Sequence, residues 1–251
     1  MSGVTGSTLV SLRGFDMTDF HSHILPGIDD GSKSLEESLQ LMKMCKEQGI
    51  SDIILTPHFY PSDETLEGFL NKLNSAFNEF SNNLKNKALP KIYKGCEVLY
   101  FSGLGRSDSL ERLCLNGSRY ILLELFNTVI CECFFEDIRY MTEQNGIIPL
   151  IAHIERYASF KNYKELLLFC ETEGIPVQIN AESFLNFSQR RIISKILKYD
   201  LKCVISTDTH SIGARPPVYK QAMEVIGSKF GEETKNRFLN NAKSLFKEID
   251  R

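Results

Sequence analysis

A short apolar run that reads as a β-strand is followed, again and again along this chain, by a longer segment of helical periodicity. That alternation restricts the fold more than any other feature. Residues 52–56 (DIILT), 120–124 (YILLE), 147–151 (IIPLI), 176–180 (PVQIN) and 203–206 (CVIS) are compact strand candidates. Residues 17–21 and 91–97 are more polar ones, which brings the number to seven. Between strands, Leu66, Phe69, Leu70, Leu73, Phe77, Phe80 and Leu84 recur at spacings of three and four, the apolar face of a long helix. Ser34 with Glu37 three residues on forms a capping-box start to an earlier helix. Phe238, Leu239, Ala242, Leu245 and Phe246 make a similar face near the C-terminus. Such stripes are core packing. The alternation implies an α/β fold, a parallel sheet with helices outside, and seven units suggest a barrel or near-barrel. A doubly wound open sheet is the alternative. Its nucleotide fingerprint is missing, because Gly103-Leu104-Gly105 lacks a third glycine and reads as loop.

Composition excludes several classes. At 251 residues and 42% hydrophobic content the chain can hold a full core, and a net charge of −3 advertises no surface for nucleic acid. No stretch reaches the roughly 18 apolar residues of a membrane span, so no membrane insertion and a cytoplasmic location are expected. Residues 1–15 read as a flexible tail rather than a signal peptide, with one domain over 16–251. The seven cysteines are odd in number and include no CxxC pair. Neither a disulfide framework nor a thiolate zinc site is expected.

The five histidines carry the chemistry. His21 and His23 end the first predicted strand, His58 follows the second, His153 the fifth and His210 the seventh. Carboxylates take equivalent places: Glu97 closes the third strand, Glu124 the fourth, Asp208 precedes His210 by two, and Asp29 and Asp30 lie in the turn after the first. In a parallel barrel these strand ends converge on one face. Imidazole and carboxylate together suit zinc, manganese or iron(II), and so many donors allow two or three ions.

Residues 19–31 (DFHSHILPGIDDG) resemble the opening motif of the polymerase-and-histidinol-phosphatase (PHP) superfamily, and LPGIDDG resembles its bacterial manganese-dependent tyrosine-protein phosphatase branch of capsule and exopolysaccharide synthesis. TPH (56–58), GCE (95–97), YILLE (120–124), AHIERY (152–157), QIN (178–180), STDTH (206–210) and RPP (215–217) follow in order, over about residues 17–247. The resemblance implies a distorted TIM-like (β/α)7 barrel forming a single PHP-type catalytic domain. It also implies three divalent ions, manganese foremost, with iron, zinc or magnesium as substitutes. One ion would take His21, His23, Glu97 and Asp208, a second Glu97, Glu124 and His153, a third Asp30, His58 and His210, with Glu97 bridging. The implied substrate is a phosphotyrosine protein, a bacterial tyrosine autokinase. Two departures stand out. Phe59 occupies the position of a frequent second histidine, an expected change to the pocket wall, and residues 100–109 are expected to reshape substrate access.

Phosphate ester hydrolysis by a metal-activated hydroxide, with no phosphoenzyme, fits this donor set. Arg156 and Arg215, in the loops after His153 and His210, are suited to grip phosphoryl oxygens. Cys133 and Arg139 satisfy C-x5-R, yet the intervening Phe-Phe-Glu-Asp-Ile contradicts a phosphate cradle and reads as an amphipathic helix. The rival readings are a histidinol-phosphate phosphatase with the same metals, and a non-catalytic metal-binding regulatory protein.

Overall fold

The computed structural model describes residues 17–85, 87–126 and 130–250; the expected tail over 1–15 lies outside them. The strands are β1 (Met17–Ser22), β2 (Ile50–Leu55), β3 (His58–Phe59), β4 (Lys91–Lys94), β5 (Glu97–Leu99), β6 (Tyr120–Glu124), β7 (Ile148–Ile151), β8 (Val177–Asn180) and β9 (Cys203–Ser206). They form two parallel ladders, β1-β2-β4 and β3-β5-β6-β7-β8-β9. The ladders are one interrupted wall. β2 runs into β3 across Pro57, which has no N–H to give to a ladder, and β4 runs into β5 across Gly95. Pairing continues through the break, because Gly95 N–H donates to Leu55 O at 2.9 Å and Glu97 N–H to Pro57 O at 3.0 Å. A Cβ at Gly95 would sit 2.7 Å from Leu115 Cδ2 and 2.9 Å from Ile54 Cγ2, so only glycine fits this crossing.

The wall closes on itself. Ser22 bridges Thr209 in parallel, Asp208 N–H donates to His21 O at 2.9 Å and His23 N–H to Thr209 O at 2.8 Å. With the two broken strands counted once each, seven positions make a distorted barrel. The expected strand over 91–97 is real but split, because the chain must pass Leu115 and Ile54 at Gly95.

The helices are α1 (Leu35–Glu47), α2 (Leu66–Leu84), α3 (Glu132–Glu143), α4 (Tyr163–Thr172), α5 (Ala181–Leu185), α6 (Phe187–Ile196), α7 (Tyr219–Phe230) and α8 (Glu232–Ile249). Ser34 Oγ caps α1 by accepting from Glu37 N–H at 3.2 Å; Glu37 Oε2 accepts from Lys33 N–H, one residue beyond the Ser34 N–H that a capping box would use. On α2, Phe69, Leu70, Leu73 and Phe80 are buried, and Leu66, Phe77 and Leu84 pack at the margin of the same core. Burial of each such side chain contributes roughly 1.5–3 kcal/mol.

A second, inner cluster fills the barrel: Phe20, Ile54, Leu122, Leu150 and Val204, closed from below by Ala242, Leu245 and Ile249 of α8. Strand periodicity then sets the site. On β6, Leu122 belongs to the inner cluster and Glu124, two residues on, stands one layer higher at the strand's C-terminal end.

One local bridge was not anticipated by the expectation against a disulfide framework: Cys131 and Cys133 are bonded to each other. The bridge spans two residues and ties no distant segments together, and a search for CxxC pairs passes over it. Cys45, Cys96, Cys114, Cys170 and Cys203 are free and buried. Cys133 lies on α3, whose buried residues are Phe134, Phe135, Asp137, Ile138 and Met141, and Arg139 pairs with Glu173. The C-x5-R spacing therefore builds a helix face. Among the described residues no helix is long and apolar enough to cross a membrane.

Candidate metal centre

Every histidine lies in or beyond a strand and none in an α-helix: His21 within β1, His23 just after it, His58 opening β3, and His153 and His210 in the turns after β7 and β9. His153 (φ 30°) and Asp208 (φ 51°) take the left-handed backbone region that non-glycine residues avoid. Such strain persists where the surrounding structure holds it, and clusters at functional sites.

The side chains converge on buried Glu97. Its Oε2 lies 3.1 Å from His21 Nε2, 3.3 Å from His23 Nε2 and 3.0 Å from His58 Nδ1, while its Oε1 lies 2.9 Å from His153 Nε2. His21 Nε2 and His23 Nε2 are 3.0 Å apart, each 3.5 Å from Asp208 Oδ1. Asp30 Oδ1 stands 3.5 Å from His58 Nε2 and 3.4 Å from His210 Nε2. Glu124 Oε1 is 3.6 Å from His153 Nε2, and its Oε2 is 3.8 Å from His58 Nδ1. All the expected donors thus meet in one cluster. The tightest groupings are His21, His23 and Asp208; His23, Asp30, His58 and His210; and His58, Glu97 and Glu124. They differ from the expected sets in three ways: Glu97 is not in the tightest group of His21, His23 and Asp208, His23 also stands with the Asp30 group, and His58 stands with the two glutamates where His153 was expected.

Packing this many charges together displaces their pKa values. Burial opposes a charge on His23, but the hydrogen bond to Asp29 and the nearby carboxylates of Asp29 and Glu97 carry it up to about 10. Burial and the neighbouring Glu97 charge lift Glu124 to about 7. Burial and His23 push His210 down to about 4. Burial would raise Asp208, yet His21, His23 and Arg156 hold it well below the usual carboxylate range.

The chain matches, over residues 17–247, the family described as "Capsular polysaccharide synthesis, CpsB/CapC". It belongs to the CpsB/CapC family. "Tyrosine-protein phosphatase CpsB" of Streptococcus agalactiae serotype III is 33% identical over 251 residues, covering 92% of this chain and 98% of the relative. A solved structure from work on YwqE of Bacillus subtilis and CpsB of Streptococcus pneumoniae, described as unique metal-dependent tyrosine phosphatases, superposes with a TM-score of 0.79 at 25% identity, covering 92% and 95% of the two chains. The histidinol phosphate phosphatase of Lactococcus lactis, at 15% identity and a TM-score of 0.55 with 87% and 94% covered, shares the fold. The expected branch is therefore the right one.

Within this CpsB/CapC chain, Arg156 Nη2 donates to Asp208 Oδ2 at 2.7 Å. Arg215 donates to the same oxygen and, at 2.8 Å, to His210 Nε2. Both guanidinium groups stay partly exposed, at 42% and 30%, beside buried donors. Phe59 corrects an expectation: it is buried with its ring 4.8 Å from Phe69 of α2, so it belongs to the helix-facing core and not to the pocket wall. Tyr60 borders the site instead, stacked on His58 at 4.9 Å. The loop over 100–109 is tied down by α3: Tyr100 Oη and Gly103 N–H donate to Asp137 Oδ2, and Arg106 to Asp137 Oδ1.

Behind the donors stand two acids: Asp29, which the sequence placed among the strand-end carboxylates without a role, and Asp19, to which it gave none. Asp29 accepts from His23 Nδ1 at 2.7 Å, and buried Asp19 accepts from Thr207 N–H at 2.9 Å, its pKa raised by burial to about 6. Both lie in the motif over 19–31, but only the doubled acid of PGIDDG hinted at a role for Asp29, while the partner that gives Asp19 its role, Thr207, lies across the barrel closure. A cleft of about 1050 Å³ lined by Arg106, Arg119, Tyr140 and Glu248 involves none of the site residues, and both its arginines are already paired, with Asp137 and Glu248.

Proposed function

We propose that this protein is a divalent-metal-dependent protein-tyrosine phosphatase that binds three ions, manganese foremost, with iron, zinc or magnesium as substitutes. Its substrate is the phosphotyrosine-bearing segment of a bacterial tyrosine autokinase, met in the cytoplasm, and residues 16–251 act as one catalytic unit. The observation that carries this reading is the convergence on Glu97. Four histidine nitrogens lie within 3.3 Å of its two oxygens, yet Glu97 Oε2 and His58 Nδ1 make no geometrically sound hydrogen bond although both are buried. Buried polar atoms of native proteins are satisfied as a rule. Imidazole nitrogens and carboxylate oxygens all facing one another are satisfied together by divalent cations. Relatives named for tyrosine phosphatase activity, and metal-dependent by description, support the same assignment.

His21, His23, Glu97 and Asp208 would hold one ion, Glu97, Glu124 and His153 a second, and Asp30, His58 and His210 a third. His58 also lies within reach of the Glu97 and Glu124 pair. Bound ions supply a water of lowered pKa and neutralise phosphoryl charge. The chain's own residues do the rest. Asp208 holds Arg156 and Arg215 side by side, and each guanidinium keeps further N–H donors for phosphoryl oxygens. Water oxygen attacks phosphorus, the P–O bond to the ring breaks, and tyrosine leaves as a phenolate. With a phenol pKa of about 10, that leaving group needs little help from an acid.

The test is a substrate panel on metal-reconstituted protein: phosphotyrosine peptide, phosphoserine peptide and histidinol phosphate. Turnover of the phosphotyrosine peptide above the other two is expected. A preference for histidinol phosphate would overturn the assignment, and metal binding without turnover of any would favour a regulatory role.

A further inference from the structure

The QIN segment of β8 has no role in the ligand scheme, yet its polar side chains touch both sides of the cluster. Gln178 is fully buried and Asn180 nearly so. Gln178 Oε1 accepts the backbone N–H of His153 at 2.7 Å and faces His21 Nδ1 at 3.2 Å. Gln178 Nε2 donates to Asn180 Oδ1 at 2.7 Å, and Asn180 Nδ2 donates to Asp208 Oδ2 at 2.8 Å. Asn180 N–H in turn donates to Glu155 Oε1, which also accepts from Ser183 Oγ.

The direction of this chain follows from one group that cannot change sign. The His153 backbone N–H is always a donor, so the amide atom it meets must be the Gln178 oxygen and not the nitrogen. His21 Nδ1, facing that same oxygen, must then carry a proton. The opposite end of the amide must donate, which makes Asn180 Oδ1 the acceptor and turns Asn180 Nδ2 toward Asp208. His21 thereby keeps its proton on Nδ1 toward Gln178, and its Nε2 is aimed at Glu97, Asp208 and His23. His23 Nδ1 is likewise taken by Asp29. With both Nδ1 atoms taken as donors, the two Nε2 atoms, 3.0 Å apart, are the ones left to present lone pairs to a shared cation when one is bound.

We infer that Gln178 is a positioning residue: it fixes the His21 tautomer and, through Asn180, the orientation of Asp208, so that one buried amide sets two donors of the same metal subsite. The inference rests on the metal reading above. Gln178→Leu should remove both effects, Gln178→Glu should keep an acceptor for His153 N–H and His21 Nδ1–H, and Asn180→Ala should release only Asp208.

The experiment measures manganese affinity by equilibrium dialysis with elemental analysis for the wild type, these variants and His21→Ala. In the metal-free protein, a long-range 1H–15N correlation reads the imidazole tautomers, with His21→Ala assigning the signal. Thermal denaturation of each metal-free protein reports folding. The wild type should show His21 protonated at Nδ1. Gln178→Leu should lose that signature and bind manganese about 10–100-fold more weakly. Gln178→Glu should keep the signature, and Asn180→Ala should keep it while binding manganese more weakly. If Gln178→Leu does not fold, the last two variants decide. Loss of the signature in Gln178→Glu, or undiminished affinity in Asn180→Ala, would overturn the inference. So would wild-type affinity in Gln178→Leu while His21→Ala loses metal. Undiminished binding in His21→Ala would instead sink the metal reading, and this inference with it.

Discussion

Asp29 Oδ2 lies 2.7 Å from His23 Nδ1 and also accepts the backbone N–H of His58 at 3.1 Å, so one carboxylate orients two histidines of the cluster. Its other oxygen accepts Gly31 N–H at 2.9 Å, which pins the carboxylate to its own turn. Asp29→Ala should weaken manganese binding about 10–100-fold, as expected when the partner behind a ligating histidine is removed. Asp29→Asn keeps an acceptor and should lose less. Titration against a competing chelator measures both, and unchanged affinity in Asp29→Ala would remove Asp29 from the site.

Arg156 and Arg215 share Asp208 Oδ2, which holds both guanidinium groups beside the cluster. Replacing either by alanine should lower kcat/KM on a phosphotyrosine peptide by about 100–1000-fold, the cost of one preorganised donor to developing charge. Lysine should not restore it, because a point charge cannot reproduce a planar fork. Metal content must be followed alongside, since Arg215 also donates to His210 Nε2. Unaltered kcat/KM with full metal content would exclude the arginines from phosphate binding.

The fold was legible because both of its periodicities are local. The strand runs and the α2 stripe show in any short window of sequence, and the barrel follows from repeating the unit. Most donors were legible for the same reason, since they fall at or just past the ends of the strand runs visible in the sequence, although His58 and Glu97 in fact open β3 and β5. What stayed hidden depends on contacts between distant segments. Gly95 breaks a strand because of Leu115 and Ile54, and Asp19 matters through Thr207 on the far side of the closure. The Gln178 amide gains meaning only once His21 and His153 stand on either side of it. The Cys131–Cys133 bridge is local, but it falls outside the spacings that sequence rules examine.

Cysteine chemistry and metal chemistry separate cleanly. Cys133 is bonded to Cys131 and lies on a helix whose Arg139 is held by Glu173, so Cys133→Ser should leave phosphatase activity unchanged while a strong chelator abolishes it. Burial pushes the Cys203 thiol up to about 12 and Cys96 and Cys170 higher still, so the free thiols should resist a thiol reagent at pH 8 until the chain is denatured. The linkage has a definite sign. The folded chain keeps the Cys203 proton where the unfolded chain loses it, so its contribution to stability is complete below about pH 8.5 and is lost as pH rises toward about 12. Denaturant unfolding across that alkaline window should give a falling midpoint, less steep in Cys203→Ala. An equal slope in the variant would contradict the buried, protonated thiol.

Phe59 and Tyr60 are neighbours with opposite duties. Phe59 packs against Phe69 in the core behind the barrel wall, while Tyr60 stacks its ring on His58 beside the carboxylates. Phe59→Ala should therefore cost about 3–5 kcal/mol of stability, the usual range for emptying a buried phenylalanine site. In a chain of this size that is a fall in Tm of about 6–20 °C. At a temperature where the variant remains folded, its KM and metal content should match the wild type. Tyr60→Ala should do the reverse, with a small change in Tm and a raised KM for phosphotyrosine peptide, because an aromatic surface at the mouth of the site is lost. Thermal scans paired with steady-state kinetics on the same samples check both. A raised KM in Phe59→Ala without any loss of stability would place Phe59 in the pocket wall after all.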